Sequence, residues 1–582
     1  MENSQVRELT LRAIELDRAG CFADAEALFN RLIKSDPGRA EHRLNLGCLY
    51  LNHRQFEAAA GQLELVCQAL PHLPHVFFNL GAARYGLDEL RSALECFSRA
   101  HQLDPGDPAT GIMLSLCLTR LGRTQQAQRW LPPLSVAGKL EPDLCNSFAL
   151  ALLGVKRNKD AEVILRELIA RVPAHWSAVI NLANILELSN RLDEVDELLQ
   201  KVPFERREPL ARLLAATISR RRGDLDATEA ELDTLRTEKL SPQIRSSLEF
   251  EYGKCLDARG RYAEAVTTFE LANRLIRDFV ASQATMSPDV DAGATKWVRD
   301  YPELDQHVQG FAQMTGTISD APIFLVGFPR SGTTLIDQIL DSHPQLQVLE
   351  EIPILDDIAS LLDARDGGYP MALAHATPAD MKELRQHYWS AVRKILVPRS
   401  GARLVDKNPL NFGHLQLITA LFPGAKLIFV TRHPCDAVLS CFMQNFAFAD
   451  ATKGFWTIDD SAAIYDETIT VWLAQRERLQ PTCLDLWYED VVADLRQQVT
   501  RLASFLGIPV EESMLEFHQH ARKRAINTPS YSQVVKPLYA SSVGRWQYYR
   551  PWFSKAEKRL LELASRLGYP RPDPKFPDLA VR

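Results

Sequence analysis

A spacing of 34 residues constrains this chain more than any other feature. Phe22, Ala25, Phe29 and Pro37 are followed at that interval by Phe56, Ala59, Leu63 and Pro71, and then by Leu90, Ala93, Phe97 and Pro105. Leu46-Gly47 returns as Leu80-Gly81 at the same step. A fixed period of this length means that each unit buries its apolar side against its neighbours. The first half is therefore expected to stack in one dimension rather than close around a single core. The phase persists at Ala127, and Ala161 with Pro173 keeps the 12-residue Ala-to-Pro interval. Val195 lies 34 beyond Ala161, and Gly223-Asp-Leu and Gly260-Arg-Tyr open further units, so roughly seven or eight units ending near Leu275 are expected.

With Leu-Gly, Ala and Pro at fixed offsets, residues 6–275 resemble the tetratricopeptide repeat. The resemblance implies helix pairs whose small residues lie where the helices touch, and an all-α solenoid whose inner face takes a protein or peptide. Read by themselves, the residues also suit a spacer or a dimerisation module. From Arg277 to about Asp320 the rhythm is lost among Ser, Pro, Asp and Gly, which reads as a connector. The expected domains are 1–275, the connector 276–320, and 321–582, a multidomain chain as its length of 582 residues requires.

The second half opens on Pro322–Leu340, PIFLVGFPRSGTTLIDQIL. An apolar run ends at Gly327, a short loop follows, and a helical pattern carries Leu335, Ile339 and Leu340. Strand, glycine-bounded loop and helix together aim backbone N–H groups at one anion. Gly327-x-x-x-x-Gly332 matches the spacing of an NTPase P-loop, but Thr333 stands where that loop has lysine. Arg330 is the cation inside the loop, a planar fork suited to an oxyanion. Further strand-like runs end at Asp406, Thr431 and Trp487, which together predict a central parallel sheet with ligands at the strand C-ends.

PRSGTTL resembles the 5′-phosphosulfate loop of sulfotransferases, most of all the tyrosylprotein sulfotransferases, and the likeness extends over about residues 321–570. That family moves the sulfuryl group of 3′-phosphoadenosine 5′-phosphosulfate (PAPS) to an acceptor and leaves 3′,5′-ADP. The resemblance implies a P-loop-like α/β sulfotransferase domain in which Arg330, Ser331, Gly332, Thr333 and Thr334 hold the 5′ end of the cofactor. It makes Glu351, the second of the Glu350-Glu351 pair, the general base, and sets Lys407 of Lys-Asn-Pro on the leaving-group oxygen. Arg432 at a strand end and Ser440 on the next helix become the 3′-phosphate pair, and Tyr488 lies near adenine. Lys536–Trp546, KPLYASSVGRW, resembles the loop that covers the cofactor, with Lys536, Arg545 and Ser541 or Ser542 as contacts.

Each of these positions has a plainer reading. Glu350-Glu351 would also suit the acidic start of a helix near Pro353, Lys407 a surface turn, and Arg432 a helix cap. Tyr488 would suit a core aromatic equally well. The chain also departs from the family: Gly544 occupies the position of its functional serine, Gln444 that of an arginine, and Pro353 and Asp357 lie where arginines meet acidic peptides. His343, His414 and His433 are read as structural. A P-loop kinase or NTPase, and a repeat scaffold with an inactive domain, are the competing functions.

Composition narrows the setting. A net charge of −7 and a pI near 6.1 disfavour nucleic acid as the partner. Ten cysteines without a CxxC pair argue against zinc and against a disulfide framework, so no metal is expected. MENSQVRELT lacks the apolar core of a signal peptide, and no 18-residue apolar run occurs, so a cytoplasmic protein with no membrane span is expected. The acceptor is left as a protein, peptide or glycan hydroxyl.

Overall fold

Residues 3–283 form sixteen α-helices that follow one another as eight helix–turn–helix pairs. The computed structural model describes residues 3–283, 298–315, 318, 320–397, 399–446, 454–521, 534–535, 538 and 540–569. The backbone carries the period more strictly than the side chains do. Gly20, Arg54, Asp88, Gly122, Lys156 and Asn190 close the first helix of successive pairs with φ between +57 and +77, each 34 residues after the last. Gly223 and Gly260 continue the series slightly out of step. A side chain in this conformation costs on the order of 1 kcal/mol. The positions held by Arg54, Asp88 and Lys156 are therefore set by the packing of the pair, not by local preference.

Two compact units divide the chain. The first comprises Met1–Ile185, Leu198–Arg206 and Val280–Thr285, the second Leu186–Glu197, Arg207–Phe279 and Met286–Arg582. In the first unit, Ala25, Ala59, Ala93, Ala127 and Ala161 are fully buried, as the period requires. A Cβ on Gly47 would meet Leu63 at 2.8 Å, and one on Gly81 would meet Phe97 at 2.8 Å. The recurring Leu-Gly is thus a contact in which the glycine face receives the large residue 16 positions on. The fourth pair has the shortest second helix: Thr124–Gln128 has five residues and gives way to Pro132-Pro133 and a 3₁₀ turn over Leu134–Lys139.

The second unit holds the last repeat helices, Pro209–Arg222, Leu225–Arg236, Pro242–Ala258 and most of Tyr262–Gln283, together with a five-stranded parallel sheet. The strands are β1 (Ile323–Gly327), β2 (Leu346–Glu350), β3 (Arg403–Lys407), β4 (Leu427–Thr431) and β5 (Cys483–Trp487), in the order β2-β3-β1-β4-β5. Central β1 and β4 are buried on both faces, which explains their unbroken apolar sequence. Phe324, Val326, Leu427 and Phe429 enter one core, while Ile323, Leu325, Ile428 and Val430 enter the other. The first core is continuous with Phe250, Phe269 and Ala272 of the repeat helices. Packing thus groups Arg207–Phe279 with the sheet, whereas the sequence rhythm runs on to about Leu275. Among the described residues no helix is long and apolar enough to cross a membrane.

Candidate active site

Every strand of the sheet delivers a candidate residue at or just beyond its C-terminal end. β1 ends at Gly327, where a Cβ would lie 2.3 Å from the Val430 carbonyl oxygen of β4. Only a glycine lets the two strands stay paired as the chain turns into the loop. Arg330 takes a left-handed conformation, φ +67, and Gly332, φ +102, is the N-cap of helix Thr333–Asp341. A side chain on Gly332 would strike Tyr488 at 2.6 Å, so the aromatic ring closes directly over the loop.

The residues expected at the two ends of the cofactor meet in one cluster. Arg330 Nε donates to Ser440 Oγ at 3.0 Å, and Arg432 Nη1 donates to the Arg330 carbonyl at 3.3 Å. The Arg432 guanidinium lies 5.2 Å from the centre of the Tyr488 ring, and its Nη2 donates to the Ser542 carbonyl. Helix Pro434–Phe442 carries Ser440, while Arg432 follows β4 directly. Lys536 lies outside the described residues.

A second cluster sits at the ends of β2 and β3. Lys407 is wholly buried, and its Nζ donates to Glu351 Oε1 at 2.6 Å, with Asp337 Oδ2 at 3.9 Å. Burial alone would lower the Lys407 pKa, but the carboxylates of Glu351, Asp337 and Glu350 outweigh it and hold the ammonium above its ordinary value. Glu351 is itself in the left-handed region, φ +49, and its N–H donates to the Lys407 carbonyl at 2.6 Å. Its side chain keeps 22% of its surface exposed, so the carboxylate lies between a buried cation and the outside.

The remaining candidates divide clearly. His343 bridges the Pro509 carbonyl and the Gln345 amide, and His414 bridges Tyr369 and Asp356. The His433 ring stacks on Trp546 at 5.4 Å, the His433 backbone N–H donates to Glu489, and burial pushes the ring's pKa down to about 4. Pro353 caps helix Ile354–Asp363, and Gln444 donates to the Asn445 carbonyl. Arg545 pairs with Asp257 of a repeat helix.

Three residues of consequence were not singled out from sequence. Asp337 shares Lys407, and Glu489 fixes the turn after Arg432. Asp436 accepts the amides of Gly544 and Trp546 at 2.7 and 2.8 Å. For Glu489 and Asp436, an acidic residue in a first helical turn gives no signal of a distant partner, because the helix dipole alone accounts for it.

An anionic ligand suits these residues. Arg432 is 8% exposed and Ser331 1%, yet Arg432 Nε and Ser331 Oγ have no hydrogen-bond partner among the described residues. A buried guanidinium N–H without an acceptor is costly unless an anion supplies one. Among the described residues no group of three or more His, Cys, Asp or Glu is arranged to hold a metal ion.

Residues 322–512 match the model of the sulfotransferase family, and residues 10–74 and 152–218 match models of the tetratricopeptide repeat. An uncharacterised protein of Aquifex aeolicus (strain VF5) is 26% identical over 564 residues, covering 85% of this chain and 70% of its own. Protein-tyrosine sulfotransferase 1 of Danio rerio is 26% identical over 280 residues, which cover 43% of this chain and 76% of that protein. The solved sulfotransferase STF9 from Mycobacterium avium aligns over 53% of this chain and 91% of its own, at 14% identity and a TM-score of 0.25.

Proposed function

We propose that this chain, in which tetratricopeptide repeats and a sulfotransferase-family domain share one polypeptide, transfers a sulfuryl group from PAPS to a hydroxyl of a protein, peptide or glycan. The observation that carries the reading is the meeting of Arg330, Ser440 and Arg432 at the ends of β1 and β4, with a buried guanidinium N–H left to be satisfied. When bound, PAPS supplies an electrophilic sulfuryl group on a good leaving group.

The chain's own residues do the rest. Arg432 and Ser440 take the 3′-phosphate, which ATP lacks, and Tyr488 covers the base. Arg330, Ser331, Gly332, Thr333 and Thr334 hold the 5′ oxyanions, the loop amides pointing where charge develops. Lys407 offsets the charge that builds on the bridging oxygen. Glu351, partly exposed in front of it, takes the proton of the acceptor hydroxyl. No metal is needed. The repeats hold a protein or peptide partner, and the protein acts in the cytoplasm.

Titration calorimetry with 3′,5′-ADP, 5′-AMP and ATP tests this reading. Binding that requires the 3′-phosphate and falls at least tenfold in Arg432→Ala is expected, since a charge-assisted contact is worth about 1.5–3 kcal/mol. A preference for ATP with magnesium would replace the reading with a P-loop kinase or NTPase. Binding of 3′,5′-ADP without transfer to any acceptor would leave a scaffold with an inactive domain.

A further inference from the structure

The segment that touches Arg432 is held from two sides, and one of those sides is a repeat. On the sheet side, Asp436 accepts the Gly544 and Trp546 amides at 2.7 and 2.8 Å, Trp546 stacks on His433, and the Ser542 carbonyl meets Arg432. On the other side, Asp257 accepts from Arg545 through Oδ2 and from the Tyr549 hydroxyl through Oδ1 at 2.6 Å. Tyr262 stacks on Tyr548 with ring centres 5.0 Å apart and meets Tyr549 edge-on at 5.2 Å. All of these residues belong to the second compact unit.

Asp257 lies in the last turn of helix Pro242–Ala258, where the helix dipole disfavours an acid. Its side chain is only 14% exposed, so the helix gains nothing from its solvation. What offsets both costs is the pair of donors from the 545–549 turn. The same repeat also reaches the far end of the Ser440 helix: Asn273 Nδ2 donates to the Phe442 carbonyl at 3.0 Å, and the Phe269 and Phe442 rings meet 6.0 Å apart.

We propose that Asp257 is a positioning residue for the cofactor site, holding Arg545 and Tyr549 so that residues 542–546 stay against Arg432 and the Ser440 helix. The last repeat is thereby part of the nucleotide site and not merely attached to it. This rests on the reading of Arg432 and Ser440 as the 3′-phosphate pair.

The test uses the full chain and titrates 3′,5′-ADP and 5′-AMP into wild type, Asp257→Asn and Asp257→Glu. Asp257→Asn should weaken 3′,5′-ADP on the order of tenfold, as for a lost charge-assisted contact, and leave 5′-AMP unchanged. Asp257→Glu should recover part of the loss. A merely structural role would weaken both nucleotides together, and an unchanged ratio of the two affinities in Asp257→Asn overturns the proposal. Hydrogen exchange on the unaltered protein gives a second measurement that needs no variant. Coupling is reciprocal, so 3′,5′-ADP should slow exchange at Gly544, Trp546 and the Gly260 amide, while 5′-AMP should not. No slowing at Gly260 also overturns the proposal. A wild type that ignores the 3′-phosphate would instead remove the sulfotransferase reading beneath it.

Discussion

At the scale of single residues, the site is built on charges that burial makes expensive. Lys407 and Asp337 are both wholly enclosed, and the Lys407 ammonium keeps its charge because the carboxylates of Glu351 and Asp337 are near. Lys407→Met should therefore cost roughly 3–5 kcal/mol of stability in the second unit, read as a fall in its denaturant midpoint. It should also lower turnover on the order of 10²-fold or more, as expected for a lost oxyanion-type contact. Next to it, Asp406 is buried beneath Tyr388 and Asn411, and burial raises its pKa from 3.8 to about 7 against the hydrogen bonds those two donate. The sign follows from linkage. Below pH 3.8 neither folded nor unfolded chain carries the charge, between there and about 7 the unfolded chain ionises first, and above 7 the penalty is constant. Asp406→Asn should match wild type at low pH and become the more stable protein as pH rises to 7, by up to roughly 4 kcal/mol. A difference that stays flat with pH would show that Asp406 is not held protonated. Lys407 and Glu351 were legible in the sequence because each sits in a recognisable motif. Asp337 and Asp406 were not, because a carboxylate inside a strand or helix reads as solvent-facing until a fold encloses it.

At the scale of elements, four of the five strands could be read from their strand-like runs, since β1, β3, β4 and β5 each lead into a candidate residue at or just beyond their ends. β2 escaped notice: Leu346–Glu350 follows the loop helix almost directly and lies at the edge of the sheet, where alternation is partial. The repeat helices were legible through side chains that pack, but their turns were not, because half of the left-handed positions hold residues other than glycine. Two glycines in successive pairs separate the roles of space and propensity. A Cβ at Gly61 meets nothing within 4 Å, so Gly61→Ala should raise the melting temperature of the first unit, by about 0.5–1 kcal/mol of stability. At Gly81 the same change drives a methyl to 2.8 Å from Phe97 and should destabilise by about 1–3 kcal/mol. Equal effects from the two substitutions would contradict the helix contact assigned to Leu-Gly.

At the scale of the whole molecule, the boundary drawn by rhythm and the boundary drawn by packing serve different purposes. A chain of residues 174–582 contains the whole second unit and should keep its preference for 3′,5′-ADP over 5′-AMP. A chain of residues 276–582 removes Asp257, Tyr262 and Asn273 and should lose at least tenfold of that preference, with calorimetry on both as the check. Deletion at 275 would thus damage nucleotide binding before it could report on the partner proposed for the repeats. Only the chain of residues 174–582 isolates acceptor presentation, which should appear as a raised KM for a protein acceptor at unchanged kcat.

The continuity of the sheet core with Phe250, Phe269 and Ala272 has an evolutionary consequence. An array of repeats needs a terminus that hides the apolar face of its final helix, and here the sheet domain serves as that terminus. Whole 34-residue units can be gained or lost on the N-terminal side without disturbing that shared core. The length of the array is free to drift, while the join to the sheet is not.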